Sequence, residues 1–146
     1  MKKIFLMCAL GITTVTVAQE IPQSHVPSLI VNNFHKAFPK AYEVSWELKG
    51  ELYKVEFESG WLSNDHDIWY DITGKMILHK EEISQNHLPQ KVLTNIHKSF
   101  SGYSIKDIER ITEGTRVTYK IELKSINKEW KVVVDSEGSI LSKIAD

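Results

Sequence analysis

The chain has 146 residues, one cysteine, and 18 basic against 19 acidic residues, giving a formal net charge of −1. That length suits one domain with a real core. Charge near neutrality excludes a nucleic-acid binder that works by displacing counterions, and a lone cysteine excludes a disulfide framework.

Residues 1–18 read as a secretory signal. Lys2 and Lys3 form a positive start, Ile4 to Val17 is largely apolar, and Thr16-Val17-Ala18 supplies a small-residue cleavage site. The apolar run falls short of the roughly 20 residues a membrane span needs. Cys8 sits in the middle of that run, behind Met7, where lipid attachment is not expected. Cleavage near Ala18 predicts a periplasmic or secreted domain of residues 19–146. Losing Lys2 and Lys3 but no acid takes the charge from −1 to −3 and leaves no cysteine. Thiol chemistry and thiolate metal sites are thereby excluded.

The remainder is self-similar. His25-Val26-Pro27 through Phe38 aligns with His87-Leu88-Pro89 through Phe100 at a spacing of 62 residues, sharing the His, the Pro, an Asn-x-His-Lys core and the closing Phe. Tyr53-Lys54-Val55-Glu56-Phe57 then matches Tyr119 to Leu123, and Asp71 to Ile77 matches Asp135 to Leu141. Two repeats are expected, about 22–83 and 84–146, joined near Ser84-Gln85-Asn86.

Each repeat opens with a helix. Apolar residues at 30, 31, 34, 37 and 38, and at 92, 93, 96 and 100, keep helical spacing. Pro27 and Pro89 suit a helix start. Pro39 and Ser101-Gly102 suit a stop. Period-two alternation follows. Tyr42, Val44, Trp46 and Leu48 share one face of a first strand, and Tyr53, Val55 and Phe57 one face of a second. A third strand carries Ile68, Tyr70 and Ile72, and Thr73-Gly74 turns it into Met76-Ile77-Leu78. The second repeat runs through Ile105-Ile108, Tyr119-Ile121-Leu123, Trp130-Val132-Val134 and Ile140-Leu141. The fold class expected is α+β: two tandem repeats, each an N-terminal helix packed on one face of an antiparallel sheet.

These blocks resemble the PepSY-like proteins of Gram-negative periplasms, a family described as similar to the beta-lactamase inhibitor protein. The resemblance covers about Pro22 to Asp146 and rests on the early-Pro helix, the Tyr-Lys-Val-Glu-Phe strand and the Ile-Trp-Tyr-Asp-x-x-Gly-Lys turn. It implies one domain of two helix-on-sheet units, an open sheet face as contact surface, and no catalytic residues. The inhibitor's repeats are stapled by disulfides; this chain has none past Cys8, which argues against beta-lactamase inhibition itself.

If Tyr53, Val55, Phe57, Ile68 and Tyr70 face the helices, then Glu43, Glu47, Lys54, Glu56, Glu58, Trp69 and Asp71 face out. They are the predicted contact residues for an exported protein partner, with Trp69 the aromatic anchor that interfaces favour. Asp107, Glu109, Lys120, Glu122, Lys124, Lys131 and Asp135 give the second repeat a more mixed face. The stretch Asn64-Asp65-His66-Asp67 reads as an acidic loop in which Asp65 and Asp67, with Asp71, are candidate calcium ligands. That makes a calcium-responsive protein the alternative function. The histidines offer no zinc spacing: His25, His35, His87 and His97 are repeat equivalents, and His66 and His79 read as loop or strand-end residues. No Gly-x-Ser-x-Gly elbow is present, and acids on an open face keep ordinary pKa values. A non-catalytic binding module without an obligatory cofactor is expected.

Overall fold

The structure, a computed structural model, describes residues 19–146; the predicted signal and Cys8 lie outside the described residues. A three-residue strand β1 (Gln19–Ile21) leads through a 3₁₀ turn into helix α1 (Ser28–Ala37). Strands β2 (Tyr42–Lys49), β3 (Leu52–Ser59), β4 (Asn64–Tyr70) and β5 (Met76–Glu82) follow. A second 3₁₀ turn and helix α2 (Gln90–Ser99) precede β6 (Ser104–Glu113), β7 (Arg116–Lys124), β8 (Glu129–Asp135) and β9 (Ile140–Ala145). All nine strands form one antiparallel sheet in sequence order. Two separate sheets would leave two inner edges unpaired, whereas β5 pairs β6 from Leu78↔Glu113 to Glu82↔Glu109 and closes both.

The helices start immediately after Pro27 and Pro89, which serve as N-caps, and Phe38 and Phe100 close them through N–H bonds to Phe34 and Ile96. Ile30 and Phe34 of α1 are buried with Trp46, Val55, Phe57, Ile68 and Tyr70, so the inward set read from alternation meets this helix. Phe34 packs edge-on to Trp46 and Phe57, with centroids 5.4 and 5.0 Å away. Val92 and Ile96 of α2 are buried in a second cluster with Ile108, Tyr119, Ile121, Leu123, Val132 and Val134. Each fully buried apolar side chain of this size contributes about 1.5–3 kcal/mol relative to exposure.

Each helix is also tied to a turn. Asn33 Nδ2 donates to Gly74 O at 3.0 Å, and Asn95 Nδ2 to Gly138 O at 3.2 Å. Both glycines have positive φ, and a Cβ at either would press on the same asparagine.

Two local expectations are corrected. Tyr42 is 39% exposed and pairs outward-facing Glu58, because Glu43 sits at φ 51 in a bulge that breaks the register between Tyr42 and Ser45, whereas Leu48 keeps the expected face opposite Tyr53. Ile72, read as strand, lies in the β4–β5 turn and is largely exposed.

Candidate functional site

The outward face is built by cross-strand register. Ser45, Glu56, Asp67 and Lys80 are successive partners across β2 to β5. Glu58 pairs Asp65, and Glu82 pairs Glu109, which pairs Lys120. Residues directly opposite share a face, so acids from β3 through β6 converge on one groove of about 480 Å³. Its lining includes Glu43, Glu56, Glu58, Asp65, Asp67, Glu82, Asp107 and Glu109, against Lys80 as the one lysine. Asp107 and Glu109, which the sequence assigned to the second repeat's separate face, join the first repeat's acids because the sheet is continuous.

Lysines answer some of this charge. Lys54 is buried under the face, pairing with Glu56 and, at 3.0 Å, with Asp67. Burial works to lower the Lys54 pKa, but those two carboxylates outweigh it and raise it. Glu109 lies 3.9 Å from Lys120. Among the described residues, Glu43, Glu58, Asp65, Glu82 and Asp107 have no ion-pair partner. The consequence is visible at Glu82, whose pKa is raised by partial burial and by the charges of Asp107 and Asp65.

The predicted contact residues are therefore placed unevenly. Glu43, Glu56 and Glu58 line the groove. Glu47 lies further along β2, paired with Lys49 at 2.8 Å. Lys54 is on the expected face but buried, so it supports the surface and does not form it. Trp69 is half-buried beneath the ammonium groups of Lys54 and Lys80, 5.1 and 5.5 Å from its ring. The Gly60-Trp61-Leu62 tip lies at the other end of the β3–β4 ladder, where Ser59 pairs Asn64. Trp61, at 91% exposure, is the solvent-facing tryptophan that the sequence did not single out.

The acidic loop is not a loop: Asn64 to Asp67 begin β4. In a strand, residues two apart stand about 6.6 Å apart along the chain, and Asp67 is already engaged by Lys54. Asp71 sits beyond the strand end, where its Oδ1 accepts from Thr73 N, Thr73 Oγ1 and Lys75 N. Those bonds, the Thr73 hydroxyl's first, hold its pKa below the usual carboxylate range. Asp71 is a turn-forming residue, and Asp65, Asp67 and Asp71 do not converge on one point.

A different set does. On the inward face His66 pairs with Glu81, and Glu81 with Arg110, while His79 sits beside them opposite Ile68. His66 Nδ1 lies 3.0 Å from His79 Nε2, and His66 Nε2 lies 2.7 Å from Ser59 Oγ. Arg110 donates to Glu81 Oε2 at 2.5 Å. Burial pushes the His66 pKa down and the His79 pKa to about 4, so both rings are neutral at pH 7. Phe57 stacks on His66 with centroids 4.7 Å apart, and Phe38 meets His79 edge-on at 5.7 Å. Reading His66 as a loop residue concealed this set. The Asp71–Lys75 turn alone would not have found it, because only the bulge between Trp69 and Tyr70 shifts the count back from Tyr70↔Met76 so that 66, 79 and 81 come together.

The sequence profile of a family described as "Putative beta-lactamase-inhibitor-like, PepSY-like" matches residues 13–77 and again residues 51–142. The chain belongs to that family. A BLIP-like protein from Bacteroides fragilis superposes with a TM-score of 0.67 at 19% identity, over 86% of this chain and 87% of that one. A DUF2874 family protein from Bacteroides uniformis gives 0.68 at 15% identity, over 82% and 88%. A structure described as "putative periplasmic proteins" from Bacteroides eggerthii gives 0.70 at 13%, over 83% and 89%. At these identities the likeness is one of fold. No protein of curated function matches the chain. Among the described residues no helix is long and apolar enough to cross a membrane.

Proposed function

We propose that this member of the PepSY-like family is an exported, non-catalytic binding module of two duplicated units, about 22–83 and 84–146. Its task is to hold a basic segment of another exported protein against the outward face of the sheet. The observation that carries this reading is the groove in which Glu43, Glu58, Asp65, Glu82 and Asp107 have no cationic partner among the described residues. Carboxylates crowded this way repel one another, and a lysine- or arginine-bearing partner removes that cost while gaining a steered approach. The inhibitor-like description of the family and the periplasmic description of a structural relative support a protein partner outside the cytoplasm. So does the signal-like sequence of residues 1–18.

The test is capture from a native periplasmic extract at about 0.05 M and about 0.5 M salt, a range over which exposed charge pairs become screened. The wild-type protein is expected to retain a basic partner at low salt and release it at high salt. Glu58→Lys with Asp107→Lys should abolish retention while the melting temperature stays near that of the wild type. A partner recovered equally by the charge-reversed protein would place the contact elsewhere.

A further inference from the structure

We propose that His66, His79 and Glu81 form a transition-metal site on the inward face of β4 and β5, with zinc as the ion that fits best. It rests on its own donor geometry and not on the proposed function: by strand register the three side chains lie on the inward side, although His66 and Glu81 also border the acidic groove.

The donor set is two imidazole nitrogens and a carboxylate oxygen, all within 4.8 Å of one another. This is the ligand chemistry of a three-residue zinc site with a fourth, open position. Tetrahedral zinc with nitrogen bonds of about 2.0–2.1 Å needs its two nitrogens roughly 3.3 Å apart. His66 Nδ1 and His79 Nε2 stand 3.0 Å apart, so a small opening of one pair of rotamers admits the ion. His79 Nε2 has a second consistent state. With the metal bound, its proton resides on Nδ1, and the lone pair that Nε2 gains points where the hydrogen bond to His66 had been.

The surroundings already do what supporting groups do in metal sites. In the tautomer with His66 Nε2 protonated, Ser59 Oγ accepts from that N–H at 2.7 Å and Nδ1 is left as the coordinating atom. Arg110 holds Glu81 Oε2, leaving the other oxygen to turn inward. Phe57 stacks flat on His66 and fixes its plane. Adjacent strands carry all three ligands, a more rigid mounting than a loop gives. His66 is buried while His79 and Glu81 are only half-buried, so an ion has a path from solvent.

The cluster is also local to one half of the molecule. Phe57 pairs His66 in β3–β4, whereas Leu123, its counterpart in the sequence alignment, pairs Trp130 in β7–β8. Trp130 Nε1 donates to the Tyr103 hydroxyl, a purely structural arrangement. Scaffold symmetry therefore does not account for two histidines here.

Calorimetry with zinc alone on the metal-stripped protein tests the inference, together with the visible spectrum of the cobalt form. Saturable one-to-one binding is expected, with the intense visible bands of low-coordinate cobalt. His79→Gln and Glu81→Gln should each weaken binding by about 100-fold or more, and Ser59→Ala by about 10-fold, the range for supporting groups. His25→Gln and His97→Gln, on other elements, should leave it unchanged. Far-UV circular dichroism of the stripped His79→Gln protein shows whether the fold is retained, and half-buried His79 is the variant least prone to unfold. No saturable zinc binding by the wild type, or binding that survives His79→Gln and Glu81→Gln, would overturn the site.

Discussion

Acid should weaken this fold through His79 in particular. Its pKa is depressed from 6.5 to about 4, first by burial, with His66 and Arg110 adding to the depression and Glu81 opposing it. An unfolded chain takes up a proton on this ring below about pH 6.5 that the folded chain refuses until about pH 4. In that window the unfolded state binds more protons, so stability falls as pH falls. At about 1.4 kcal/mol per unit the full depression corresponds to about 3 kcal/mol. The ring is only half-buried, and solvent screening reduces the expected loss to about 1–2 kcal/mol. Urea unfolding at about pH 7.5 and about pH 4.5, with a chelator present to exclude metal, measures it. His79→Gln keeps an amide within reach of His66 but cannot titrate, so its stability should drop less over the same interval. Equal drops in the two proteins would refute the reasoning, because ordinary carboxylate protonation is common to both.

Three further outcomes follow from particular positions. Gly138→Ala should cost about 2 kcal/mol or more in unfolding free energy, because its Cβ would lie 2.9 Å from Lys91 O and 2.8 Å from Asn95 Nδ2 at a φ of +90. Gly50→Ala, also at positive φ but with nothing within 4 Å, should cost only about 1 kcal/mol by the same measurement. Glu82→Gln should raise stability at neutral pH by a few tenths of a kcal/mol, since it removes a carboxylate crowded by Asp107 and Asp65 at an exposed position. Loss of stability in Glu82→Gln would mean that the groove's acids are already neutralised.

What the sequence made legible was whatever depends on short-range period. The helical faces of Ile30 and Phe34 and of Val92 and Ile96, and the inward sets Val55, Phe57 and Ile121, Leu123, need only alternation and turn counting. Register was harder. Whether β5 and β6, separated by a helix, are partners is decided by pairing such as Glu82↔Glu109, for which neither segment carries a local sign. The bulge at Glu43 and the slip between Trp69 and Tyr70 likewise leave no mark in a period-two pattern. Polar residues hid the most. Asp65-His66-Asp67 reads as a solvated loop by composition, and only the strand context sends the aspartates outward and the histidine in.

That alternation has a consequence for how the two candidate sites relate. On the inward side of β5, Met76 packs in the first core and Ile83, just past the strand, lies in the second, leaving His79 and Glu81 between them. A sheet that carries two helices has such a border by construction, and polar side chains there lose less than they would inside either core. On the other side of the same strands, Asp65, Asp67 and Glu82 line the acidic groove. Asp65 and Asp67 flank His66 in the chain, and Glu82 follows Glu81, so each of these three acids is covalently next to a residue of the histidine set. A cation held by His66, His79 and Glu81 would lie one sheet thickness from these carboxylates, and through the protein rather than through water its field is only partly screened. Zinc would then ease the repulsion among the acids. Partner affinity would fall with metal occupancy, an effect that Glu81→Gln would uncouple without touching a single outward side chain.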